Sequence, residues 1–263
     1  MAELFKKQGK EYAQARPSYP PELFAFITSK TPEHHLAWDV GTGNGQAALS
    51  LAQVFKKVIA TDTSQGQLSL AAKHPNIQYQ HTPPTMSIPE LEHLVTPPGT
   101  VDAITVAQAL HWFANPGFFS LVKHVLKPQG VFSAWCYTLP STNDAQVDGV
   151  LKRLYSESAG FWSPERRMVD EEYRSIEFPF DPVGGEKSTG PFEFESVRRM
   201  ELEEYVSYIR SWSAYQTAKE KGVELLTDEV VGELERAWVG GGKDAKEVKF
   251  PVFLRIGKLT ESM

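Results

Sequence analysis

The chain reads as an α/β protein built around a parallel sheet, and three observations predict it. Apolar, strand-like runs alternate with helix-patterned segments over about the first 140 residues, the arrangement that produces right-handed crossovers. One of these runs, Leu36-Ala37-Trp38, leads through Asp39 into the glycine turn Gly41-Thr42-Gly43-Asn44-Gly45 and on into a helix-patterned stretch from Gln46. Polar residues fall where successive strands end: Asp39, Asp62, Thr82, Gln108 and His111. In parallel sheets that carboxyl edge is where ligands bind.

The elements follow in order. Pro20 opens a helix to about Lys30, since a first turn tolerates proline, with Leu23, Phe24 and Ile27 at helical spacing. Residues 36–40 form the first strand and 57–61 the second, which ends at Asp62; Thr63 or Ser64 then caps a helix to about Ala72. Residues 77–80 are a short third strand, broken by His81-Thr82-Pro83-Pro84, and 88–95 a helix. Residues 101–107 are the fourth strand, with His111-Trp112-Phe113 in a loop or short turn after it. Residues 115–126 read as a helix, 127–130 as a turn and 131–137 as the fifth strand.

Beyond residue 140 the alternation stops. Helices are expected at about 144–158 and 164–174, then a Pro/Gly-rich loop, an alternating strand at 192–200, helices at 201–220 and about 223–239, and a β-rich run at 248–256. An excursion that returns to β-structure reads as an insert covering the ligand edge. One domain over 1–263 is therefore expected, with 140–190 and 201–240 as cap elements.

Bulk composition narrows the function. The chain has 263 residues, 41% of them hydrophobic and 23% charged, which suits a globular protein with a sizeable core. A net charge of -6 argues against a general nucleic-acid binder, because phosphate binding needs clustered Lys and Arg. Cys136 is the single cysteine, so no intrachain disulfide forms, and a reducing cytoplasmic setting is expected. The N-terminus lacks a signal-peptide core, no run approaches the ~18 apolar residues of a membrane span, and no His/Cys cluster has metal-ligand spacing.

The glycine turn decides between two cofactor classes. A dinucleotide fold uses G-x-G-x-x-G and seats the pyrophosphate on the helix N-terminus. Here Gly41, Gly43 and Gly45 give G-x-G-x-G, and Gln46 stands at the dinucleotide's third glycine. Asp39, two residues before the first glycine, would repel a pyrophosphate and suit a ligand with a cationic end. S-adenosylmethionine has an ammonium and a sulfonium and no phosphate. Asp62, at the end of the second strand, serves a ribose in either class.

D-V-G-T-G-N-G-Q, the acid at Asp62, V-D-A-I-T-V-A-Q-A-L-H-W-F and L-K-P-Q-G-V-F resemble the class I S-adenosylmethionine-dependent methyltransferases. Y-x-x-x-R-P-x-Y at Tyr12, Arg16, Pro17 and Tyr19, together with A-L-H-W-F and S-W-S-A-Y, is similar to the small-molecule (type 11) group that holds trans-aconitate methyltransferase-like and plant embryonic-abundant-like proteins. The resemblance is clear over residues 10–137 and diffuse beyond. It implies a Rossmann-like seven-stranded sheet of order 3-2-1-4-5-7-6 with the last strand antiparallel.

The resemblance also implies site roles. Asp39, Gly41 and Gly43 would line the methionine end, with Asn44 and Gly45 beside them. Asp62 would bind the ribose and Thr63 would lie by the adenine. His81 and Thr82 stand where many such enzymes place an acid near the adenine amine; no acid is present, so a backbone group or the threonine hydroxyl is expected there. Ala107 and Gln108 would contact the cofactor after the fourth strand. Tyr12, Arg16 and Tyr19 match an N-terminal lid, residues 1–19.

Transfer of a sulfonium methyl needs alignment and exclusion of water, and a general base only where the acceptor carries a proton of high pKa. His111 is the candidate catalytic residue, as a base or as a group that orients substrate. Trp112, Trp135, Trp212 and Tyr215 are candidate acceptor contacts, each also readable as packing. Arg166 and Arg167 read as a solvated face, and Arg16 as a cation able to pair with Asp39 or a substrate carboxylate. A Gln108-Ala109-Leu110-His111 stretch in place of a Pro-Pro-Tyr motif, together with the negative charge, points to a small-molecule acceptor. The resemblance slightly favours oxygen, as in a carboxylate, over nitrogen or carbon. The competing readings are an NAD(P)-dependent oxidoreductase and a non-catalytic protein that keeps the cofactor fold.

Overall fold

The computed structural model describes residues 16–238 and 244–260. Its elements are α1 (Pro21–Lys30), β1 (Leu36–Val40), α2 (Gln46–Leu51), β2 (Lys57–Asp62), α3 (Gln65–Ser69), β3 (Ile77–His81), α4 (Ile88–Leu94), β4 (Val101–Ala107), α5 (Leu110–Phe113), α6 (Pro116–Val125), β5 (Leu126–Tyr137), α7 (Ala145–Glu157), α8 (Arg166–Asp170), β6 (Phe192–Met200), α9 (Leu202–Arg210), α10 (Ser213–Glu220), α11 (Asp228–Ala237) and β7 (Lys246–Lys258). The strands make a seven-stranded sheet of order β3-β2-β1-β4-β5-β7-β6. β1, β2, β3, β4 and β5 pair in parallel, and β7 runs antiparallel to β5. The expected Rossmann-like order is therefore the observed one. No described helix is long and apolar enough to cross a membrane.

The chain forms two compact units. Of the described residues, the sheet unit holds 19–138, 167–194 and 252–260; the other holds 16–18, 139–166, 195–238 and 244–251. Residues 167–190, grouped with the cap by pattern, thus pack with the sheet unit. β1, β4 and the second half of β5 are buried almost throughout, as expected of parallel strands covered on both faces. Trp38, Ile104, Phe132, Phe119 and Phe178 form the centre of that core. In the other unit, Trp212, Tyr155, Trp162, Tyr208 and Phe250 make a contiguous aromatic cluster.

Helix starts follow local chemistry. Ser64, Asn115, Asp144 and Thr227 each cap a helix through a side-chain oxygen, and Ser87 with Glu90 forms a capping box on α4. Helix ends differ from the pattern in places. α3 stops at Ser69, and α8 stops at Asp170 because Glu172 and Tyr173 turn left-handed, both at φ 58. The continuous helix expected over 201–220 breaks at Ser211-Trp212, where Trp212 is extended and Ser211 Oγ donates to Tyr208 O at 2.6 Å. α11 begins at Asp228 rather than near 223. The turn expected at 127–130 lies within β5 as an irregularity, with Gln129 at φ 62 and a register shift between Val101 and Ala103.

At the amino edge of the sheet, Asp102 ties β4 to the entry of β1. Its Oδ2 accepts the N–H of His35 at 2.8 Å and of Leu36 at 2.7 Å, and Oδ1 accepts from Lys127 Nζ at 2.5 Å. Burial pushes this carboxyl up, but Lys127 and the two N–H groups outweigh it and hold the pKa below the ordinary value. A depressed carboxylate stabilises the fold above its unfolded pKa and loses that contribution as pH falls through its folded pKa. Asp102→Asn should therefore lower the unfolding free energy by about 1–3 kcal/mol at neutral pH. Denaturant titrations should show the gap from wild type closing on acidification below 3.8, the ordinary aspartate value.

Candidate functional site

Parallel pairing builds the carboxyl edge. β1 sits in register so that Asp39 stands opposite Ala60 on one side and Thr105 on the other. Thr105 Oγ1 therefore reaches across to donate to Asp39 Oδ1 at 2.6 Å, while Thr42 Oγ1 in the turn donates to Oδ2 at 2.5 Å. Asp39 is 0% exposed. Burial pushes its pKa up to about 6, against the pull of the Thr105 and Thr42 hydroxyls and the Ala48 N–H, and the charge of Asp62 adds to the rise. Asp39 thus lies buried beside the glycine turn with both oxygens held by hydroxyls.

The three glycines of the turn are needed for different reasons. All have left-handed φ: +64 at Gly41, +59 at Gly43 and +84 at Gly45. A Cβ at Gly41 would press on Ala109 and Phe113, and one at Gly45 would collide with the Tyr79 hydroxyl. A Cβ at Gly43 would meet nothing within 4 Å. Gly43 therefore faces open space beside the carboxyl ends of β1 and β2. Its N–H donates to Asp62 Oδ2 at 2.8 Å, and Asp62 Oδ1 accepts the Ser64 N–H at 2.7 Å. Asn44, next to it, is half-buried.

The rest of the edge is placed by the neighbouring strands. His81 pairs in register with Asp62, is exposed, and sets its Nε2 3.1 Å from the carbonyl of exposed Thr63. Thr82 is buried and donates its N–H to Asp62 O at 3.1 Å. Ala107 stands opposite Trp135. Gln108, at φ 55, spends its side chain on the next strand: Oε1 accepts the Tyr137 N–H at 2.7 Å and Nε2 donates to Tyr137 O at 3.4 Å. Trp135 is fully buried, with the rings of Tyr19 and Phe24 edge-on at 5.3 Å and 5.7 Å, and its indole N–H has no hydrogen-bond partner among the described residues.

α5 carries His111 and Trp112. The His111 ring lies 4.7 Å from that of Trp112, which is 56% exposed. Nδ1 of His111 is 3.1 Å from the hydroxyl oxygen of Tyr173, a fully buried residue.

Of the remaining candidates, Arg16, Arg166, Trp212 and Tyr215 lie in the other unit and Arg167 in the sheet unit. Arg16 Nη2 donates to Ser211 O at 2.7 Å, and its own carbonyl accepts from Arg198 at 3.0 Å. Asp39 takes its hydrogen bonds from Thr42, Thr105 and Ala48. Trp212 is buried in the aromatic cluster, and Tyr215 donates its hydroxyl to Glu224 at 3.1 Å. Arg166 stacks 4.5 Å over Trp162 and bonds Tyr155 Oη, whereas Arg167 is exposed and pairs with Glu171. Tyr12 lies outside the described residues.

Four contributors went unread in the sequence: Thr42, Thr105, Tyr79 and Tyr173. Thr105 carried a signal, since a hydroxyl in the middle of a buried apolar run needs a partner. Tyr173 carried none, because its contact spans 62 residues.

Chemically, the turn is a negative, backbone-lined cradle. Two carboxylates support it, and among the described residues neither pairs with a lysine or arginine. A diphosphate would meet repulsion there, while an ammonium or sulfonium would be drawn in.

Comparison with known proteins agrees. Residues 38–134 match the methyltransferase domain family. The chain is 35% identical over 262 residues to a "Putative methyltransferase" of Dictyostelium discoideum, covering 97% of this chain and 94% of that one. It is 25% identical over 232 residues to a "Probable S-adenosylmethionine-dependent methyltransferase" of Saccharomyces cerevisiae, covering 79% of each. It also superposes on a solved "Putative Type II Methyltransferase" from Anaeromyxobacter dehalogenans with TM-score 0.79 and 33% identity, covering 94% of this chain and 99% of that one. With that kinship along nearly its whole length, and the sheet order and turn chemistry already described, the chain belongs to the class I S-adenosylmethionine-dependent methyltransferases.

Proposed function

We propose that the protein transfers a methyl group from S-adenosylmethionine to a small-molecule acceptor, with oxygen as the favoured acceptor atom. The observation that carries this reading is the negative glycine turn, open to space at Gly43. A left-handed glycine without a side chain lets a bound group approach the backbone closely. Gly41, Gly43, Asn44 and Gly45 would hold the methionine end, with Asp39 acting electrostatically through Thr42. Asp62 would receive the ribose, Thr63, His81 and Thr82 the adenine, and Ala107 and Gln108 the methyl side. Tyr12, Arg16 and Tyr19 remain assigned to a cofactor lid by resemblance, and Trp112, Trp135, Trp212 and Tyr215 to acceptor contacts. S-adenosylmethionine supplies an already activated methyl on sulfur. The protein's part is to align the acceptor, exclude water and balance the charge that disappears from sulfur. Oxygen is favoured by resemblance to the family, and a carboxylate acceptor would need no general base. The net charge of -6 supports a small molecule over a nucleic acid.

Incubating enzyme and methyl-labelled cofactor with a cell extract should yield a labelled small molecule by mass spectrometry. Binding of S-adenosylhomocysteine without any labelled product would favour a non-catalytic protein, and calorimetric binding of NADH in its place would favour an oxidoreductase.

Substitutions in the turn should separate folding from binding. Left-handed φ costs an alanine about 1–2 kcal/mol at either position. Gly43→Ala should leave a folded protein, because its Cβ has room, yet weaken S-adenosylhomocysteine binding at least about tenfold, a loss of about 1.4 kcal/mol in calorimetry. Gly45→Ala should instead lower the melting temperature markedly through its clash with Tyr79.

Asp39 gives a pH signature. Its pKa is raised, so the ligand-free fold favours the neutral acid below about 6, and the buried charge that forms above costs stability. The ammonium group of the ligand prefers the charged form. Affinity for S-adenosylhomocysteine should therefore fall as pH drops through about 6, by up to about tenfold per pH unit. In Asp39→Asn this dependence should be lost.

A further inference from the structure

The Tyr173 side chain stands out as a buried polar group that no assigned role uses. It is 0% exposed and its hydroxyl oxygen meets His111 Nδ1 at 3.1 Å. Burial, with Cys136 and Tyr19, holds the phenol well above its ordinary pKa, so it keeps its proton. The backbone N–H groups of His111 and Leu110 pull the other way without overturning the rise. These are the first N–H groups of α5, which have no partner within the helix. Among the described residues the acceptor that this buried hydroxyl meets is the imidazole nitrogen, so the phenol proton goes to it.

The position of Tyr173 is itself enforced. Glu172 and Tyr173 are both at φ 58, a conformation side chains rarely adopt. The Tyr173 carbonyl accepts Arg255 Nη1 at 2.7 Å, and the same buried guanidinium binds Ile176 O at 3.3 Å and Thr189 Oγ1 at 3.0 Å while lying 4.7 Å over the Phe178 ring. A rigid, fully charged fork on β7 thus clamps the turn that aims the phenol.

We propose that Tyr173 is a positioning residue that donates its O–H to His111 Nδ1 and thereby fixes His111 as the Nε2–H tautomer, a hydrogen-bond donor rather than a general base. The proposal deepens the methyl-transfer reading and rests on it for its consequence. The acceptor must then arrive with its lone pair already available, as a carboxylate does. In the step, the sulfur–methyl bond breaks, its electron pair stays on sulfur, and the acceptor lone pair makes the new bond; no proton passes through His111. Histidine tautomers follow the hydrogen bond made by the other nitrogen.

The test is a long-range proton–nitrogen NMR spectrum of the whole chain labelled at histidine nitrogens, with His111→Gln used to assign the signal. Nε2 should appear protonated and Nδ1 as an acceptor nitrogen at neutral pH. In Tyr173→Phe, shown to be folded by an intact S-adenosylhomocysteine titration, the two tautomers should mix. Once an acceptor is known, that variant should lose about tenfold in kcat with cofactor KM unchanged. Protonated Nδ1 in the wild type, or an unaltered His111 signal in Tyr173→Phe, would overturn the proposal. The spectrum reads the tautomer whether or not methyl transfer is found, so failure of this idea and failure of the proposed reaction are separable.

Discussion

A carboxylate with no access to water anchors the carboxyl edge of the sheet. Asp39 would be costly as an isolated buried charge. It is tolerated because Thr105, its cross-strand neighbour on β4, and Thr42, in the turn itself, each donate a hydroxyl to one oxygen. That pair of bonds ties the β1–β4 seam to the glycine turn. A second carboxylate, Asp62 at the end of β2, holds the turn from the other side through the Gly43 N–H. Three strands therefore converge on a loop whose glycines accept left-handed φ without penalty. Thr42→Val would remove a hydroxyl and leave the charge under-bonded, so shape alone cannot substitute for it.

This arrangement also explains why a carboxylate that never touches solvent can bias ligand choice. In a buried site the field of Asp39 is poorly screened, and it adds to that of Asp62 rather than cancelling it. The turn needs no lysine or arginine, because its intended partner carries the positive charge. A dinucleotide cradle of the same backbone shape needs the opposite sign. Spacing of the glycines and sign of the support are two independent marks of the same preference.

The sheet was legible because its strands are buried runs bounded by turn residues, and the caps at Ser64, Ser87, Asn115, Asp144 and Thr227 follow local rules. The order of strands came from resemblance, since periodicity carries no adjacency. Misreadings fall where distant contacts decide. Lys127-Pro128-Gln129-Gly130 has turn composition, yet Gln129 donates its N–H to Leu259 O and Gly130 accepts from Leu259, so the segment stays in the sheet as a kink. Leu202 to Glu220 has one helical face, yet the chain breaks at Ser211, whose carbonyl is taken by Arg16. Within the site, residue types at strand ends were readable, but their hydrogen bonds were not. Gln108 looked available to a ligand and is engaged with Tyr137, and the Tyr173 contact to His111 has no local trace.

The two halves of the edge are held by different chemistry, and this separates their response to pH. The glycine-turn half depends on Asp39, whose pKa of about 6 places its charge change near neutrality. The α5 half depends on a phenol raised well above its ordinary value and on an arginine, Arg255, bonded to carbonyl and hydroxyl oxygens rather than to an acid. Neither changes charge near neutrality. An Arg255 paired with a carboxylate would have linked His111 to the titration of that acid. Holding the guanidinium on neutral oxygens instead keeps the clamp on the Tyr173 carbonyl from sharing the pH response of the charged cradle.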